Sequence, residues 1–343
     1  MSHSKPENAQ PEHAQAEHES QKPVSSLEQA KLEDEKKSDP EATKLPSSRT
    51  EPGDECCHYQ PDPDELAFLK QQTRIQDEEE LKVHVFAVQK KAYKVCPYPC
   101  IRRFGFVRIK IIKNPAAYNH VLELGRTLPG ALFLDVGCCF GIDLRRLAND
   151  GFPVQNMLAC DIRKGFVNPL RISDDFWDLG HELFRSTAES FPVAFLAGDV
   201  FDPAFLTLQA PATEAPQSPA PNLDSLASLE GLQGHLSAIH SASLFHLFGE
   251  VNQLQLARKL AGLLSARPGS IIFGCHGAQP TKGHVLGSRG KYMFCHSSET
   301  WREMWEGIFE QGSVEIATHM KNVGKLLNPT TDFYMLFWSV KRL

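Results

Sequence analysis

The sequence predicts an α/β protein built on a mostly parallel, Rossmann-like sheet. From Ala131 onward, short apolar runs alternate with longer amphipathic stretches, which is the pattern of strands and helices in right-handed βαβ units. Two further strand-like runs near the end, 314–320 and 331–342, have no helix-length segment between them and predict an antiparallel hairpin that closes the sheet. The earlier strand candidates are 131–136, 157–160, 193–197, 236–240 and 270–275, and the helix candidates are 142–149, 174–185, 251–265 and 299–310.

This domain is expected to span 129–343 and to follow two segments of different character. Residues 1–60 are rich in Glu, Lys, Ser, Gln and Pro, with no aromatic residue before Tyr59, so they are expected to form a disordered acidic tail. Residues 61–128 are expected to form a helical N-terminal cap. Apolar residues recur at helical spacing over 64–95, and two prolines within 96–100 break that pattern.

Three shorter features complete the expected organisation. Residues 104–112 are apolar and basic and are expected to form a short helix or strand. Pro115 suits the first turn of a helix that is expected to stop at Gly125. A low-complexity stretch at 209–222 predicts a surface insertion rather than a domain boundary, because strand-like runs resume after it.

Composition and charge exclude several classes of protein. The net charge of -6 belongs to the tail, because residues 1–55 carry 7 Lys and Arg against 13 Asp and Glu, which leaves 29 of each sign in 56–343. A balanced folded part gives no footprint for nucleic acid. No apolar run approaches the roughly 18 residues of a membrane span, and the N-terminus lacks the apolar core of a signal peptide, so a cytoplasmic protein is expected.

The nine cysteines predict neither a disulfide scaffold nor a metal site. Cys56-Cys57-His58 and the pair Cys96 and Cys100 have spacings that match no common zinc pattern. We therefore expect no metal and reduced thiols.

The stretch 131–141, Ala-Leu-Phe-Leu-Asp-Val-Gly-Cys-Cys-Phe-Gly, runs from an apolar strand into a turn that is followed by an amphipathic helix. Gly137 and Gly141 suit a sharp turn and a close approach of backbone to a ligand, and the helix N-terminus supplies amides with partial positive charge. On its own, such a turn also fits an ordinary strand–turn–helix connection.

Acidic residues at the ends of successive strands indicate a cofactor. Asp135 sits at the end of the first apolar run, and Asp161 and Asp199 follow the second and third runs. An acid after the second strand is placed to accept both hydroxyls of a ribose, and the third acid would lie near an adenine. A carboxylate cannot stabilise a pyrophosphate, so Asp135 disfavours a dinucleotide and suits the cationic amino-acid end of S-adenosyl-L-methionine. The predicted cofactor site comprises Asp135, Gly137, Cys138, Gly141, Asp161, Ile162, Asp199, Val200 and Ser241.

Several segments, covering roughly 80–343, resemble the class I S-adenosylmethionine-dependent methyltransferases, and more narrowly the fungal methyltransferases of meroterpenoid and related secondary-metabolite pathways. The resemblance rests on 98–101 (Tyr-Pro-Cys-Ile), 104–106 (Phe-Gly-Phe), 129–141, 179–184 (Leu-Gly-His-Glu-Leu-Phe), 241–248 and 267–270. It implies a seven-stranded sheet and methyl transfer to oxygen, a carboxylate or a hydroxyl, of a small hydrophobic acceptor. The sequence departs from the class at Cys139, which stands where most members have the middle glycine of the loop.

His246, just past the fourth strand, is the candidate catalytic residue, as a base or as a hydrogen-bond partner of the acceptor; the alternative is a structural histidine. An acceptor carboxylate would need no base, whereas a hydroxyl would benefit from one. His240 and Ser241 are expected to line the cofactor pocket, and His276 is a weaker catalytic candidate. Tyr93, Tyr98 and Phe104 belong either to a lid over the acceptor or to packing.

Two alternatives to a methyltransferase remain at this point. An NAD(P)-dependent oxidoreductase would need Gly-x-Gly-x-x-Gly after the first strand, which 137–141 does not supply. A non-catalytic interaction protein could keep the fold and use the acidic tail for partners. A homodimer is possible, and the sequence leaves the oligomeric state open.

Overall fold

The computed structural model describes Met1 and residues 58–162, 176–287, 292–325 and 331–343. The tail expected at 1–60 therefore lies almost entirely outside the described residues. The cap and the sheet belong to one unit that runs to Leu343. Within the described ranges, no helix is both long and apolar enough to cross a bilayer.

The N-terminal region is helical, as expected, but its helices are more numerous than the periodicity indicated. The first helix begins with a capping box between Asp62 and Glu65. It ends at Thr73, because the C-cap residue Arg74 has a left-handed backbone with φ of 58°. The prolines of 96–100 break α2, and one of them begins the short α3. The four helices are α1 (Pro63–Thr73), α2 (Glu78–Val95), α3 (Pro99–Arg102) and α4 (Pro115–Thr127).

The cap differs from the expectation in two places. The 104–112 stretch, expected as one short helix or strand, forms two separate 3₁₀ helices, Gly105–Val107 and Ile111–Lys113. Gly125 does not end α4, which continues to Thr127. A Cβ at Gly125 would lie 2.5 Å from the Phe152 ring, so this glycine permits a close helix contact rather than a stop.

The sheet has seven strands in the order β3-β2-β1-β4-β5-β9-β8, which confirms the expected architecture. β1 to β5 are parallel, and β9 runs antiparallel to both β5 and β8. The terminal hairpin therefore inserts its second strand against β5. The strands are β1 (Phe133–Val136), β2 (Met157–Asp161), β3 (Ala194–Ala197), β4 (Ala238–Ala242), β5 (Ile271–Ala278), β8 (Val314–Asn322) and β9 (Tyr334–Arg342).

A second, two-stranded sheet was not anticipated: β6 (Gly283–Leu286) pairs with β7 (Tyr292–Cys295) directly after β5. The other helices fall where the amphipathic stretches predicted them, with ends shifted by a few residues. They are α5 (Ile142–Asn149), α6 (Phe176–Leu183), α7 (Glu250–Leu263) and α8 (Ser298–Glu306).

The 209–222 stretch contains no helix or strand and is mostly exposed. It is tied to the domain where the Arg342 guanidinium donates to the Ala212 carbonyl oxygen at 2.6 Å.

Hydrophobic cores cover both faces of the sheet, and alternate residues of β1 point into one or the other. Phe133 packs with the cap and α5, whereas Leu134 packs with α7 and the tryptophans Trp301 and Trp305. By this alternation Asp135 lies on the same face as Phe133, toward the cap. The cap core thus contains a carboxylate.

Candidate cofactor and active site

The loop after β1 turns sharply through two glycines with left-handed backbone. Gly137 and Gly141 have φ values of 76° and 70°. The amides of Gly137 and Cys138 both donate to the Cys160 carbonyl at the end of β2, at 2.8 and 3.2 Å. The Gly141 amide closes the turn on the Cys138 carbonyl at 2.8 Å, and Gly141 is the N-cap of α5. The loop is therefore a hydrogen-bonded structure at the carboxyl edge of the parallel strands.

Cys139 occupies the middle-glycine position and adopts the backbone conformation that a glycine would favour, with φ of 52°. Its amide donates to Asp161 Oδ2 at 2.7 Å, a charge-assisted bond that holds the strained residue in place. Burial is the largest cause of the raised pKa of the Cys139 thiol. The raised pKa favours the neutral thiol over the nucleophilic thiolate.

Helix α6 supports the loop from one side. A Cβ at Gly141 would lie 2.6 Å from the Trp177 ring, and one at Gly180 would lie 2.5 Å from the Phe140 carbonyl oxygen. The absence of a side chain at Gly141 thus leaves room for the Trp177 ring, in addition to permitting the sharp turn. Gly180, in the Leu-Gly-His-Glu segment, lets α6 touch the loop backbone.

Asp161 ends β2 beside this loop, where sequence reasoning placed it. Its Oδ2 accepts the Cys139 amide, and its Oδ1 accepts the Ile162 amide at 2.7 Å. Its carbonyl accepts the Gly198 amide at 3.0 Å, which joins the end of β2 to the end of β3. Ile162 follows with a 46% exposed side chain. The structure thus brings Asp161, Ile162 and the loop together.

Asp199 and Val200 follow β3, the edge strand beyond β2. Asp199 is exposed, and its Oδ1 accepts a hydrogen bond from the Phe201 amide at 2.9 Å. Val200 is buried, and its carbonyl accepts a hydrogen bond from the Lys259 ammonium at 2.8 Å. These two residues lie past the same edge of the sheet as the loop.

Asp135 lies within β1 rather than in the loop, and its side chain is 3% exposed. Its Oδ1 is 2.9 Å from Nδ1 of His240, the residue opposite it on β4. Burial lowers the pKa of His240, but attraction to Asp135 and their hydrogen bond outweigh it, so the pKa is raised above its usual value. Asp135 thus has a protein partner that sequence reasoning did not pair with it.

The remaining candidates from β4 and β5 have distinct surroundings. Ser241 is fully buried in β4, and its Oγ has no hydrogen-bond partner among the described residues. His276 is buried in β5, and its Nδ1 accepts a hydrogen bond from Trp338 Nε1 at 3.1 Å. His276 also contacts the ring of Trp301, with centroids 4.2 Å apart, which places it in the tryptophan core.

His246 lies in a 3₁₀ turn after β4 and is half-buried. Its Nδ1 accepts the Gly277 amide at 3.1 Å. Burial, with a smaller contribution from the charge of Lys110, lowers the pKa of His246 to about 4. A neutral ring whose Nδ1 accepts a hydrogen bond carries its proton on Nε2.

The aromatic residues proposed for a lid are mainly packed in the cap core. Phe104 is 1% exposed and contacts the rings of Tyr59 and Phe86, with centroids 5.4 and 4.7 Å away. Tyr98 and Tyr93 are partly buried against the same core. Packing accounts for Phe104.

Two residues at this edge were missed by sequence reasoning. Asp143, in the first turn of α5, accepts the backbone amides of Lys110 and Ile111 at 2.7 and 2.9 Å. These bonds fix the backbone of Lys110 beside α5. Burial lowers the pKa of the Lys110 ammonium, but attraction, chiefly to Asp143, outweighs it, so the pKa is raised above its usual value. The only sequence signal was the presence of two basic residues, Arg108 and Lys110, in the apolar stretch 104–112.

These residues fit S-adenosylmethionine. A carboxylate at the end of β2 offers an acceptor for ribose hydroxyls, and a tight loop of backbone amides and two further strand-end residues lie at the same edge of the sheet. Together with a sheet in the order β3-β2-β1-β4-β5-β9-β8, they define the class I S-adenosylmethionine-dependent methyltransferases.

Comparison with known proteins specifies the family. Residues 58–107 match the model of the meroterpenoid methyltransferase N-terminal domain. Methyltransferase ausD of Penicillium brasilianum is 31% identical over 265 residues, 76% of this chain and 82% of that protein. O-methyltransferase phiE of Fungal sp. (strain ATCC 74256) is 30% identical, with 64% of this chain and 63% of that protein covered. Asnovolin E/Chermesin D methyltransferase nvfJ of Aspergillus novofumigatus is 29% identical, with 80% and 87% covered.

The chain belongs to this family of fungal secondary-metabolite methyltransferases, and S-adenosylmethionine is its methyl donor. Family membership excludes the oxidoreductase that the sequence left as an alternative.

Proposed function

We propose that this methyltransferase esterifies a carboxylate of a small hydrophobic secondary metabolite, such as a meroterpenoid or a polyketide. Similarity to an O-methyltransferase and to meroterpenoid methyltransferases supports the oxygen acceptor and the substrate class. The observation that favours a carboxylate over a hydroxyl is the hydrogen bond from the Gly277 amide to His246 Nδ1.

That hydrogen bond supports a donor role for His246 rather than that of a base. With the proton on Nε2, the accessible side of the ring is a donor and not a base. The two other histidines of β4 and β5 are also engaged, His240 with Asp135 and His276 with Trp338. A carboxylate, ionised at neutral pH, needs no base, and an Nε2–H donor would orient it.

The cofactor residues have matching proposed roles. Bound S-adenosylmethionine supplies an electrophilic methyl group, and the chain's part is to align it with the acceptor and exclude water. Asp161 and Ile162 hold the ribose end, while Gly137, Cys138 and Gly141 shape the loop beneath the methionine end. Asp199 and Val200 lie toward the adenine, and Asp135 acts through the buried pair with His240.

The test combines product chemistry with a variant. The purified protein, S-adenosylmethionine and a metabolite extract from host cells lacking it should give a product heavier by one methylene, and mild alkaline hydrolysis should return the acid. His246→Ala should lower kcat/KM by about tenfold, the loss of one hydrogen bond to a charged group, rather than the 10²–10⁴ typical of a lost base.

The pH profile provides an independent check. Because the pKa of His246 lies near 4, its ring stays neutral from about pH 5 upward. The pH profile of kcat/KM near pH 6.5, the usual pKa of histidine, should therefore be the same in the unmodified protein and in His246→Ala. A product that resists alkali as a methyl ether, together with a thousandfold loss in His246→Ala, would show a hydroxyl acceptor and a base instead.

A further inference from the structure

One lysine of α7 is buried beside the segment that follows β3. Lys259 is 2% exposed, and its ammonium donates hydrogen bonds to two backbone carbonyl oxygens, that of Val200 at 2.8 Å and that of Leu206. An ammonium that loses its hydration is costly unless fixed acceptors replace the water. The two carbonyls therefore serve as the partners of a buried charge.

These carbonyls belong to two consecutive turns in the segment 198–206, none of whose residues is in a helix or a strand. In the first turn, the Asp202 amide donates to the Asp199 carbonyl at 2.9 Å. In the second, the Leu206 amide donates to the Asp202 carbonyl at 3.0 Å. The ammonium of Lys259 thus joins one turn to the other.

The same segment is attached to the end of the sheet. The Gly198 amide donates to the Asp161 carbonyl at 3.0 Å, and a Cβ at Gly198 would lie 2.3 Å from the Phe205 ring, so that ring packs directly on the end of β3. Between these contacts, Asp199 presents an exposed carboxylate whose Oδ1 accepts the Phe201 amide at 2.9 Å. The direction of this carboxylate therefore follows from the shape of the two turns.

The charge of Lys259 also complements the segment. Burial lowers the pKa of its ammonium, whereas attraction to Asp199, Glu230 and Asp202 acts in the opposite direction. Lysine thus supplies two hydrogen bonds to the turns and an attraction to Asp199, and a neutral side chain would not supply the attraction.

We propose that Lys259 is a positioning residue for the adenine of S-adenosylmethionine. By holding the two turns of 198–206 together, it fixes the Asp199 carboxylate where the 6-amino group of the base can donate to it. The proposal rests on the place that the proposed function gives to Asp199 and Val200 at the adenine. Lys259 acts through this segment and selects adenine over hypoxanthine, whose carbonyl oxygen in place of the amino group would be repelled by the carboxylate.

Calorimetric titration of the full chain with S-adenosylhomocysteine and S-inosylhomocysteine measures this preference, because the two ligands differ only in the base. The unmodified protein should bind the adenine ligand about tenfold or more tightly, the gain from one hydrogen bond to a charged group. In Lys259→Met, which keeps a side chain of similar length without the donor, the preference should fall below about threefold. Lys259→Gln, which keeps a neutral donor, is the second variant in case the first does not fold, and its preference should also be lower than that of the unmodified protein.

Two controls separate positioning from a loss of charge or of stability. Arg258→Met removes the exposed neighbouring cation of the same helix. Leu336→Ala opens a cavity in β9, which four strands separate from β3, and destabilises the fold without touching the segment. Both controls should keep the full preference for adenine.

A double variant tests whether Lys259 acts through Asp199. Asp199→Ala alone should lose the preference, and its combination with Lys259→Met should lose no more than either single variant. A Lys259→Met protein that kept the tenfold preference, or a Leu336→Ala protein that lost it, would overturn the proposal. If the unmodified protein bound both ligands equally, the place of Asp199 at the adenine would be wrong as well, and if it bound neither, the proposed function itself would fail.

Discussion

Cys139 has a left-handed backbone conformation, which glycine adopts more easily than a residue with a side chain. Its φ of 52° costs a residue with a Cβ about 1–2 kcal/mol relative to glycine. The charge-assisted bond from its amide to Asp161 Oδ2 offsets part of this cost. A loop with two glycines can therefore take the shape of one with three, provided that the strand-end acid is present.

This explanation predicts the relative stability of two variants. Cys139→Gly should unfold with a free energy about 1 kcal/mol higher than Cys139→Ala, because both remove the thiol but only glycine relieves the left-handed backbone. Urea denaturation of the two proteins measures the difference. An alanine variant as stable as the glycine variant would show that Cys139 is not strained.

Lys110 and Asp161 show how far single residues could be assigned from the sequence. Asp161 was found because an acid at the end of a strand is visible in the pattern, and its contact with the loop follows from parallel pairing. Lys110 sits in a stretch whose structure was not specified by the sequence, and its backbone position depends on a hydrogen bond to Asp143, 33 positions further along the chain. A contact of that kind has no local signature.

At the scale of elements, the hydrophobic pattern of the sequence predicted correctly the helices that bury one apolar face. The boundaries of α5 were predicted residue by residue, because Gly141 caps it and its apolar face packs on the cap core. The β6–β7 hairpin was missed, since 283–286 and 292–295 are short and carry no regular alternation. Its strands form because they pair with each other beyond the end of β5.

The contact between α6 and the loop gives a prediction at this scale. Gly180→Ala would normally stabilise a helix by about 1 kcal/mol. Here the new methyl group would lie 2.5 Å from the Phe140 carbonyl oxygen, so α6 or the loop must move. We expect destabilisation by about 1–3 kcal/mol in urea and about tenfold weaker S-adenosylhomocysteine binding.

Gly307→Ala is the matched control, because it follows α8 with φ of -75° and its nearest contact would be an ordinary 3.4 Å. If Gly180→Ala behaved like this control in both measurements, α6 would not determine the position of the loop.

At the scale of the whole molecule, one short segment attaches the cap to the sheet domain. The family model covers 58–107, and the chain just after it turns through Lys110 and Ile111 onto Asp143. Glu65 secures the same segment from the cap side, since it accepts the Ile109 amide at 3.2 Å and pairs with Arg108 at 3.1 Å. The segment 109–111 is thus bonded to Glu65 of the cap and to Asp143 of α5.

The loss of this attachment can be measured. Asp143→Ala leaves two backbone amides without their acceptor, one of them at the buried Ile111, and should lower the free energy of unfolding by about 2–4 kcal/mol. Asp143→Asn keeps an oxygen at the same place and should lose less than about 1 kcal/mol. Hydrogen exchange should accelerate across 63–113 in the alanine variant while β1 and β4 stay protected. Equal exchange in the two variants would mean that the cap is held mainly by its hydrophobic contacts, and Lys110 would then keep its position without Asp143.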